Sequence, residues 1–373
     1  MTRPRIFALL LLSAALAAPA LAMPALPMHS PFGPFHAPPV GPHVSHPAPP
    51  DSGTYTVIDA PDAGTQSGQG TAVYGTNSSG TMAGDYEDSF ANFYGFLRTP
   101  DGTFTEFAVD GGQTIAYGIS DNGAVSGTYL DPNTNTWRGF LRTPTGKYQT
   151  FDPGDDNGTG IFDQGVNKSL TIVGDYTGTD GYYHSFFRLK DGALTEFDAP
   201  GGYDTDTWGI NKGGTMSGNY AANGSYHGFL RAPDGTFTEF DAPGAAGPGT
   251  IADRINNKGW ASGDYGDSIG AFHAFIRDPS GNFTEYDAPD AGKGNKQGTG
   301  GEGGINRHET VAAAYVDSSN VPHGYIRAKS GTLTEFDPPG STYTETWDLN
   351  DSDNVVGDYI DSSGVYHGYL RTP

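Results

Sequence analysis

Short runs of alternating hydrophobic and polar residues recur along this chain, separated by clusters of turn-forming residues. Residues 205–244 are typical and read TDTWGINKGGTMSGNYAANGSYHGFLRAPDGTFTEFDAPG. This stretch holds four runs of strand length, with KGG at 212–214 and PDG at 233–235 supplying turns. Such runs predict β-strands, and the dense Gly and Pro residues interrupt any helical period. We therefore predict an all-β protein.

The same stretch occurs in seven copies, each marked by an aromatic-hydrophobic-arginine triplet. The triplets end at Arg98, Arg142, Arg188, Arg231, Arg277, Arg327 and Arg371. They lie about 43 to 50 residues apart, a period that is typical of four-stranded propeller blades. We number these copies as units one to seven. The predicted fold is a seven-bladed β-propeller of four-stranded blades.

The two ends of the repeat region complement each other. Unit seven stops at Pro373, before a fourth strand like TFTEFDAP. Residues 53–61, GTYTVIDAP, resemble that missing strand. We predict that this N-terminal strand completes the last blade and closes the ring, which removes an exposed sheet edge. Residues 53–373 then form one domain.

Two segments precede this domain. Residues 1–22 combine Arg3 and Arg5 with an apolar run and a small-residue cleavage site, ALA at 20–22, which predicts a secretory signal peptide. We therefore expect a secreted protein, periplasmic or extracellular. Residues 23–52 are rich in proline and predict an extended linker. The linker histidines match no compact metal-ligand spacing. They are His29, His36, His43 and His46.

Composition excludes several classes of partner and chemistry. The 373 residues carry a formal net charge of -23, which disfavours nucleic acid and anionic membrane surfaces. The chain contains no cysteine, so disulfides and thiol chemistry are excluded. We predict no membrane span in the mature chain and no cofactor. The one hint of calcium binding is a loop fragment formed by Asp351, Asp353 and Asn354.

Several polar residues recur in step with the repeat, and we interpret them as structural. A histidine precedes the triplet in five different units, so these histidines would not converge on one site: His184, His227, His273, His323 and His367. The triplet arginines are expected to pair across strands with a recurring glutamate. Those glutamates are Glu106, Glu196, Glu239, Glu285 and Glu335. The asparagine of the G-I-N motif is expected to begin an Asx turn.

We place the candidate binding site at the axial mouth, where the innermost strands vary between units. Trp347, Tyr74 and Tyr117 belong to neighbouring units and predict an aromatic arc. Aromatic rings stack on the C–H faces of sugars, and carboxylates accept hydrogen bonds from sugar hydroxyls. The candidate ligand-binding residues are Tyr74, Tyr117, Asp163, Asp206, Trp208, Asp253, Glu302, Glu345 and Trp347. In the alternative interpretation the aromatics pack between blades and the acids are solvated.

Three functions remain open at this level. We favour a binding module for an extracellular glycan or protein, with carbohydrate as the leading ligand. The first alternative is a polysaccharide hydrolase or lyase that uses the mouth carboxylates, since a hydrolase needs two carboxylates about 5 to 9 Å apart. The second is a structural protein of the cell envelope or matrix. The zinc-protease motif H-E-x-x-H is absent from the sequence.

The units resemble the probable extracellular repeats of the HAF family, which is named for a His-Ala-Phe triplet. That triplet occurs once as written, at residues 273–275, and HGF or HGY replaces it at His227, His323 and His367. The resemblance covers all seven units, although Tyr94 and Arg138 replace the histidine in the first two. It implies bacterial export and a propeller-like fold. It implies no catalytic residue.

Overall fold

The structure, a computed structural model, describes residues 51–154 and 156–373, without the side chains of residues 156–164. The predicted signal peptide and nearly all of the predicted linker therefore lie outside the described residues. Within them the chain is all-β, and its one helical segment is a single 3-10 turn at Val109–Gly111. The prediction of an all-β protein is confirmed.

The described residues form twenty-nine strands. In chain order these are β1 Thr54–Ile58, β2 Gly70–Thr76, β3 Met82–Glu87, β4 Phe93–Arg98, β5 Phe104–Phe107, β6 Thr114–Ile119, β7 Val125–Asp131, β8 Thr136–Arg142, β9 Tyr148–Phe151, β10 Asp156–Val166, β11 Ile172–Gly178, β12 Tyr183–Arg188, β13 Leu194–Phe197, β14 Tyr203–Ile210 and β15 Met216–Ala222. They continue with β16 Ser225–Arg231, β17 Phe237–Phe240, β18 Gly249–Ile255, β19 Ala261–Gly266, β20 Phe272–Arg277, β21 Phe283–Tyr286, β22 Gly298–Thr299, β23 Gly304–Ile305, β24 Val311–Val316, β25 Pro322–Arg327, β26 Leu333–Phe336, β27 Ser341–Leu349, β28 Val355–Asp361 and β29 Tyr366–Thr372.

Each sequence unit folds as an antiparallel meander. In unit one β2, β3, β4 and β5 pair in chain order, and in unit two β6 to β9 do the same. The first strand of a unit, which we call its inner strand, is irregular shortly before the G-I-N turn. In β2 this is a register shift between Val73 and Gly75. At this irregularity the side chain of the intervening residue, Tyr74, departs from the regular alternation of side chains between the two faces of the sheet.

The first residue of each triplet forms the core. All seven of these rings are fully buried, namely Phe96, Phe140, Phe186, Phe229, Phe275, Tyr325 and Tyr369. The glycine of the recurring G-D-Y motif makes room for them. At Gly84 a Cβ atom would overlap the carbonyl oxygen of Ala72 and would lie 2.9 Å from the Phe96 ring. The repeated glycine and the repeated aromatic are therefore two halves of one packing arrangement.

The predicted pairs between triplet arginines and glutamates are wrong. The register places Arg98 opposite Phe104, whereas Glu106 lies opposite Phe96. The guanidinium groups instead lie over aromatic rings, and Arg231 approaches the Phe197 ring centroid of the preceding unit to 4.5 Å. Cation–π contacts of this kind hold one unit against the next. The arginine therefore contacts the aromatic residue at the start of the fourth strand, such as Phe104, rather than the glutamate two residues later, such as Glu106.

The recurring histidines lie in five separate local clusters. In each, Nδ1 is paired with an aspartate fourteen residues away or, for His367, with Asp59 just after β1, at 2.8 to 3.0 Å. Each ring also lies against the tyrosine of the G-D-Y or equivalent motif, with centroids 5.0 Å apart for Tyr359 and His367. The histidines do not converge on a common centre.

The two ends of the repeat region meet in the structure. Strand β1 lies antiparallel to β29 over five residue pairs, from Thr54 opposite Thr372 to Ile58 opposite Gly368. An ion pair between Asp51 and Arg371 reinforces this contact, with Nε to Oδ2 at 2.9 Å. The N-terminal strand thus occupies the fourth-strand position of unit seven, as the sequence predicted.

Candidate functional site

The G-I-N asparagines form the turns that were predicted and also link the units. Asn77 Oδ1 accepts hydrogen bonds from the backbone amides of Ser79 and Thr81, both at 3.0 Å, which is an Asx turn. Its Nδ2 also donates to the carbonyl oxygen of Ser120 in unit two, at 3.2 Å. The second hydrogen bond was not predicted, because a sequence does not show which carbonyl group lies beside a turn.

This link between units recurs along the chain. The amides of Asn167, Asn211, Asn256 and Asn306 donate in turn to the carbonyl groups of Asn211, Asn256, Asn306 and Asn350, at 2.8 to 3.3 Å. Asn350 then donates to the carbonyl oxygen of Asn77, at 3.2 Å. In unit two, where Ser120 replaces the asparagine, Asn122 donates to Lys168 instead. The last unit is therefore bonded to the first.

These turns surround a cavity of 230 Å³ at the ends of the inner strands. Its lining is polar and includes Asn77, Asn211, Asn256, Asn350, Thr76 and Asp348. Asp348 accepts a hydrogen bond from the Thr76 amide at 3.0 Å. Burial raises the pKa of Asp348 to about 6, against the opposing effects of this bond and of the charge of Arg254. None of the eight predicted site residues whose side chains the structure describes lines this cavity.

Three of the predicted aromatics lie side by side on the inner strands. The Tyr74 ring is 5.6 Å from Trp347 and 5.4 Å from Tyr117, measured between centroids. All three side chains are half-buried. Trp347 Nε1 donates to Asp358 Oδ1 at 2.6 Å, and Tyr74 hydrogen bonds with Asp85. We call Trp347, Tyr74 and Tyr117 the aromatic arc.

The fourth predicted aromatic, Trp208, lies in a different environment. It is 7% exposed and donates from Nε1 to Asn219 Oδ1 at 2.6 Å. Asn219 in turn donates to Asp206 Oδ2 at 3.1 Å. The three rings of the aromatic arc come from units seven, one and two, whereas Trp208 belongs to unit four. Trp208 therefore offers little surface for a ligand.

Three of the five predicted acids lie in units five to seven: Asp253 on β18, Glu302 between β22 and β23, and Glu345 on β27. Asp253 is 1% exposed, and neither of its carboxyl oxygens has a hydrogen-bond partner. Burial and the neighbouring Asp264 and Glu302 hold its pKa well above the usual value. Glu302 also acts on the buried Glu345, whose pKa is raised by burial above all. We call Asp253, Asp264, Glu302 and Glu345 the acidic arc.

The remaining predicted acids have separate surroundings. Asp206 is buried in unit four, and its Oδ1 has no partner. The side chain of Asp163 lies outside the described residues. The alternative interpretation, in which the acids are solvated, is wrong for Asp206, Asp253 and Glu345, because all three are buried. The aromatic arc does pack between units, as that interpretation proposed.

Sequence reasoning missed the role of the G-D-Y aspartates. Asp85 and Asp264 lie opposite Ala72 and Ile251 of the inner strands. Asp85 hydrogen bonds with Tyr74 of the aromatic arc, and Asp264 belongs to the acidic arc. Burial raises the pKa of each to about 8. The signal was their variability, since Asn219 occupies this position in unit four.

Two further short motifs occur in the sequence, and the structure gives neither a catalytic context. Residues 266–270, GDSIG, match G-x-S-x-G, but they form a β-turn in which Gly270 N donates to Asp267 O at 3.1 Å. A nucleophile elbow instead requires a strand followed by a helix. Residues 298–303, GTGGEG, match G-x-G-x-x-G, and strands follow them rather than a phosphate-binding helix.

The described residues contain no group of three or more His, Asp or Glu side chains arranged to hold a metal ion. In the same residues we find no helix with the length and hydrophobicity that a membrane span requires.

Comparison with known proteins identifies the fold. No family model matches the chain, and no curated protein matches it by sequence. A streptogramin B lyase structure matches with a TM-score of 0.57 at 13% identity, covering 86% of this chain and 98% of that chain. Virginiamycin B lyase from Staphylococcus aureus gives 0.54 at 15% identity, covering 86% and 100%. Puromycin hydrolase gives 0.51 at 13% identity, covering 81% and 50%. These are β-propeller proteins, and at such identities the likeness shows a propeller-like fold alone.

Proposed function

We propose that this chain is an exported, seven-bladed β-propeller that binds carbohydrate between its aromatic and acidic arcs. The pairing of β1 with β29 and the hydrogen bond from Asn350 to Asn77 support a closed ring. A closed ring leaves no open end in the array of blades, and its inner strands surround a central axis. Export follows from the predicted signal peptide, and the HAF-like repeats agree with it.

The observation that carries the proposal is the placement of the two arcs. Trp347 at one end of the aromatic arc and Glu345 in the acidic arc lie on the same inner strand, β27. Aromatic faces bind the C–H surfaces of a sugar, while carboxyl oxygens can accept hydrogen bonds from its hydroxyl groups. Glu302 is the half-buried member of the acidic arc and offers such a group to a ligand, whereas Asp253 is 1% exposed.

The protonation state of the acidic arc suits a polyhydroxyl ligand. Because the pKa of Asp264 is about 8, this carboxyl group is mostly neutral at pH 7. A neutral carboxyl group both donates and accepts hydrogen bonds, as sugar hydroxyls do. The site is therefore suited to a neutral saccharide.

The same feature favours one second candidate, a hydrolase or lyase acting on polysaccharide. A carboxyl group whose pKa is raised toward neutrality can serve as a general acid. Asp253 and Asp264 are neighbours with raised pKa values, and Asp264 also accepts a hydrogen bond from the Gly301 amide at 2.8 Å. The enzyme proposal requires that Asp264→Asn abolish turnover and leave binding intact.

A thermal-shift screen of residues 23–373 against neutral and acidic polysaccharide fragments tests the proposal. A ligand at a hundred times its Kd stabilises the folded state by about 2.7 kcal/mol, which raises the Tm measurably. We expect a saccharide-specific rise that Trp347→Ala removes and that the control Trp260→Ala retains. Absence of any saccharide-dependent rise would contradict carbohydrate binding and support a structural or protein-binding role.

A further inference from the structure

A second cavity, of 470 Å³, opens as a groove where unit four meets units five and six. Its lining includes Tyr203, Asp204, Ser225, Tyr226, Phe272 and Lys296. Tyr203 is the first residue of inner strand β14, so the groove lies at the starts of the inner strands. The 230 Å³ cavity lies at their ends. Ligand cavities typically measure about 300–1,000 Å³, and the groove falls within this range.

The walls of the groove are held in place by the backbone. The long connections 241–248 and 287–297 run along it, and their ends form parallel bridges from Gly249 to Tyr226 and from Gly298 to Phe272. Tyr226 N donates to Pro248 O at 3.0 Å, and Lys296 N donates to Gly270 O at 2.8 Å. The groove is thus formed before any ligand arrives, which lowers the entropy cost of binding.

Exposed hydrophobic side chains cluster at this groove. Tyr203 is 43% exposed and Tyr182 is 45% exposed, and their ring centroids lie 5.4 Å apart at an angle of 63°. Ile269, next to the lining residue Gly270, is 61% exposed. A cluster of exposed aromatics beside a preformed groove indicates a binding surface.

The polar groups of the groove favour an uncharged ligand. Asp204 and Lys296 contribute opposite charges to the lining, and Ser225 and Asn295 add neutral hydrogen-bonding groups. Asp204 Oδ1 is anchored by the backbone amide of Tyr183 at 3.0 Å. Because the two charges offset each other, the groove has no net charge with which to select an anion or a cation.

The groove also adjoins the inner strands. Tyr226, which lines it, lies near Asp206, because the Asp206 and Asp204 charges add to the effect of burial in raising the pKa of Tyr226. Asp206 is on inner strand β14, in hydrogen-bond contact with Asn219. The groove therefore borders the inner strand of unit four, whereas the aromatic arc belongs to units seven, one and two.

We propose that the groove is a second saccharide subsite, in which Tyr203 and Tyr182 stack on outer sugars of a neutral linear glycan. The Ser225, Asn295 and Asp204 side chains bind its hydroxyl groups. This inference rests on the proposed function, since it assigns a second site to the same class of ligand. It assigns the ligand class as a chain of several sugars rather than a monosaccharide.

Titration calorimetry with residues 23–373 tests this subsite, using a disaccharide and a hexasaccharide of β-linked glucose and of N-acetylglucosamine. We expect the hexasaccharide to bind more tightly than the disaccharide. Tyr203→Ala should weaken hexasaccharide binding about tenfold and leave disaccharide binding unchanged. The matched control is Phe90→Ala, which removes an aromatic that is 82% exposed on unit one and should change neither Kd.

The outcomes separate the two proposals. Equal affinity for the two lengths, or an equal effect of Tyr203→Ala and Phe90→Ala, overturns the groove and leaves the axial site standing. Disaccharide binding that survives Trp347→Ala but is lost in Tyr203→Ala overturns the axial site and retains the groove. If no oligosaccharide of the panel binds, both proposals are overturned.

Discussion

The indole Nε1 of Trp347 donates a hydrogen bond of 2.6 Å to the buried carboxyl group of Asp358. The equivalent pair in unit four is Trp208 and Asn219, at the same distance. The tryptophan thus donates to a neutral amide in unit four and to an acid in unit seven. Burial raises the pKa of Asp358 to about 7, so above this pH the folded state holds a buried carboxylate that destabilises it.

We predict that Asp358→Asn stabilises the protein at pH 8. The asparagine keeps an acceptor for Trp347, as Asn219 does for Trp208, and removes the cost of a buried carboxylate. The expected gain in unfolding free energy is on the order of 2 kcal/mol at pH 8, with little gain at pH 4. Urea unfolding at the two pH values measures it. An equal effect at both pH values would contradict the raised pKa.

We predict that the wild-type protein loses stability as the pH rises from about 4 to about 8. Asp85 and Asp264 have pKa values of about 8 in the folded state against 3.8 for an ordinary aspartate, so the folded state binds more protons across this window. Stability falls with pH wherever the folded state binds the more protons. The Tm measured in overlapping buffers checks this prediction.

The matched control for the pH dependence is the double variant Asp85→Asn with Asp264→Asn, which should flatten the decline in Tm. Unit four already carries asparagine at this position, at Asn219, so the fold accommodates it. A wild-type Tm that stays constant or rises between pH 4 and pH 8 would refute the assignment of neutral buried acids.

Phe229→Ala is predicted to destabilise the protein by about 3–5 kcal/mol, because it empties the core of unit four. The Phe229 ring is fully buried and lies 5.4 Å from Phe237. Phe90→Ala serves as the control, since its exposed ring should contribute less than about 0.5 kcal/mol. Guanidinium unfolding compares the two variants. Similar losses in both would show that the triplet aromatic does not form the core.

The link between the chain ends makes a separate prediction at Asn350. Asn350→Ser should keep the turn, because Ser120 Oγ accepts the amide of Ala124 at 3.0 Å in unit two, but it removes the donor to Asn77. Asn350→Ala should remove both. We expect losses of about 1 and about 2 kcal/mol respectively in thermal unfolding. An Asn350→Ser variant as stable as wild type would mean that the link to Asn77 contributes nothing, and identical losses in the two variants would mean that the turn acceptor contributes nothing.

The repeat made the strands and the meeting of the chain ends predictable. Seven triplets fix the spacing of the core aromatics, and residues 53–61 match a strand that unit seven lacks. The partner of Arg98 was not predictable in the same way. Phe104 and Glu106 lie on the same strand, and only the register of that strand decides which of them faces Arg98. A repeat gives the order of strands but not the atoms that face each other.

The site was predictable only in part, for the same reason. Trp347, Tyr74 and Tyr117 each precede the G-I-N motif or its equivalent in adjacent units. Equivalent residues of adjacent units are neighbours, so the sequence correctly predicted that these three rings lie together. The burial of Trp208 depends on a hydrogen bond to Asn219 on the next strand. The groove at Tyr203 arises from two long connections, whose path over the surface no local pattern specifies.

Titration calorimetry of residues 23–373 with the tightest saccharide of the thermal-shift screen tests the central claim most directly. Carbohydrate binding between the arcs predicts a saturable heat with one axial site per chain, lost in Trp347→Ala and retained in Trp260→Ala. Saturable binding of equal affinity in wild type and Trp347→Ala would contradict the claim, and so would the absence of binding heat for every saccharide tried.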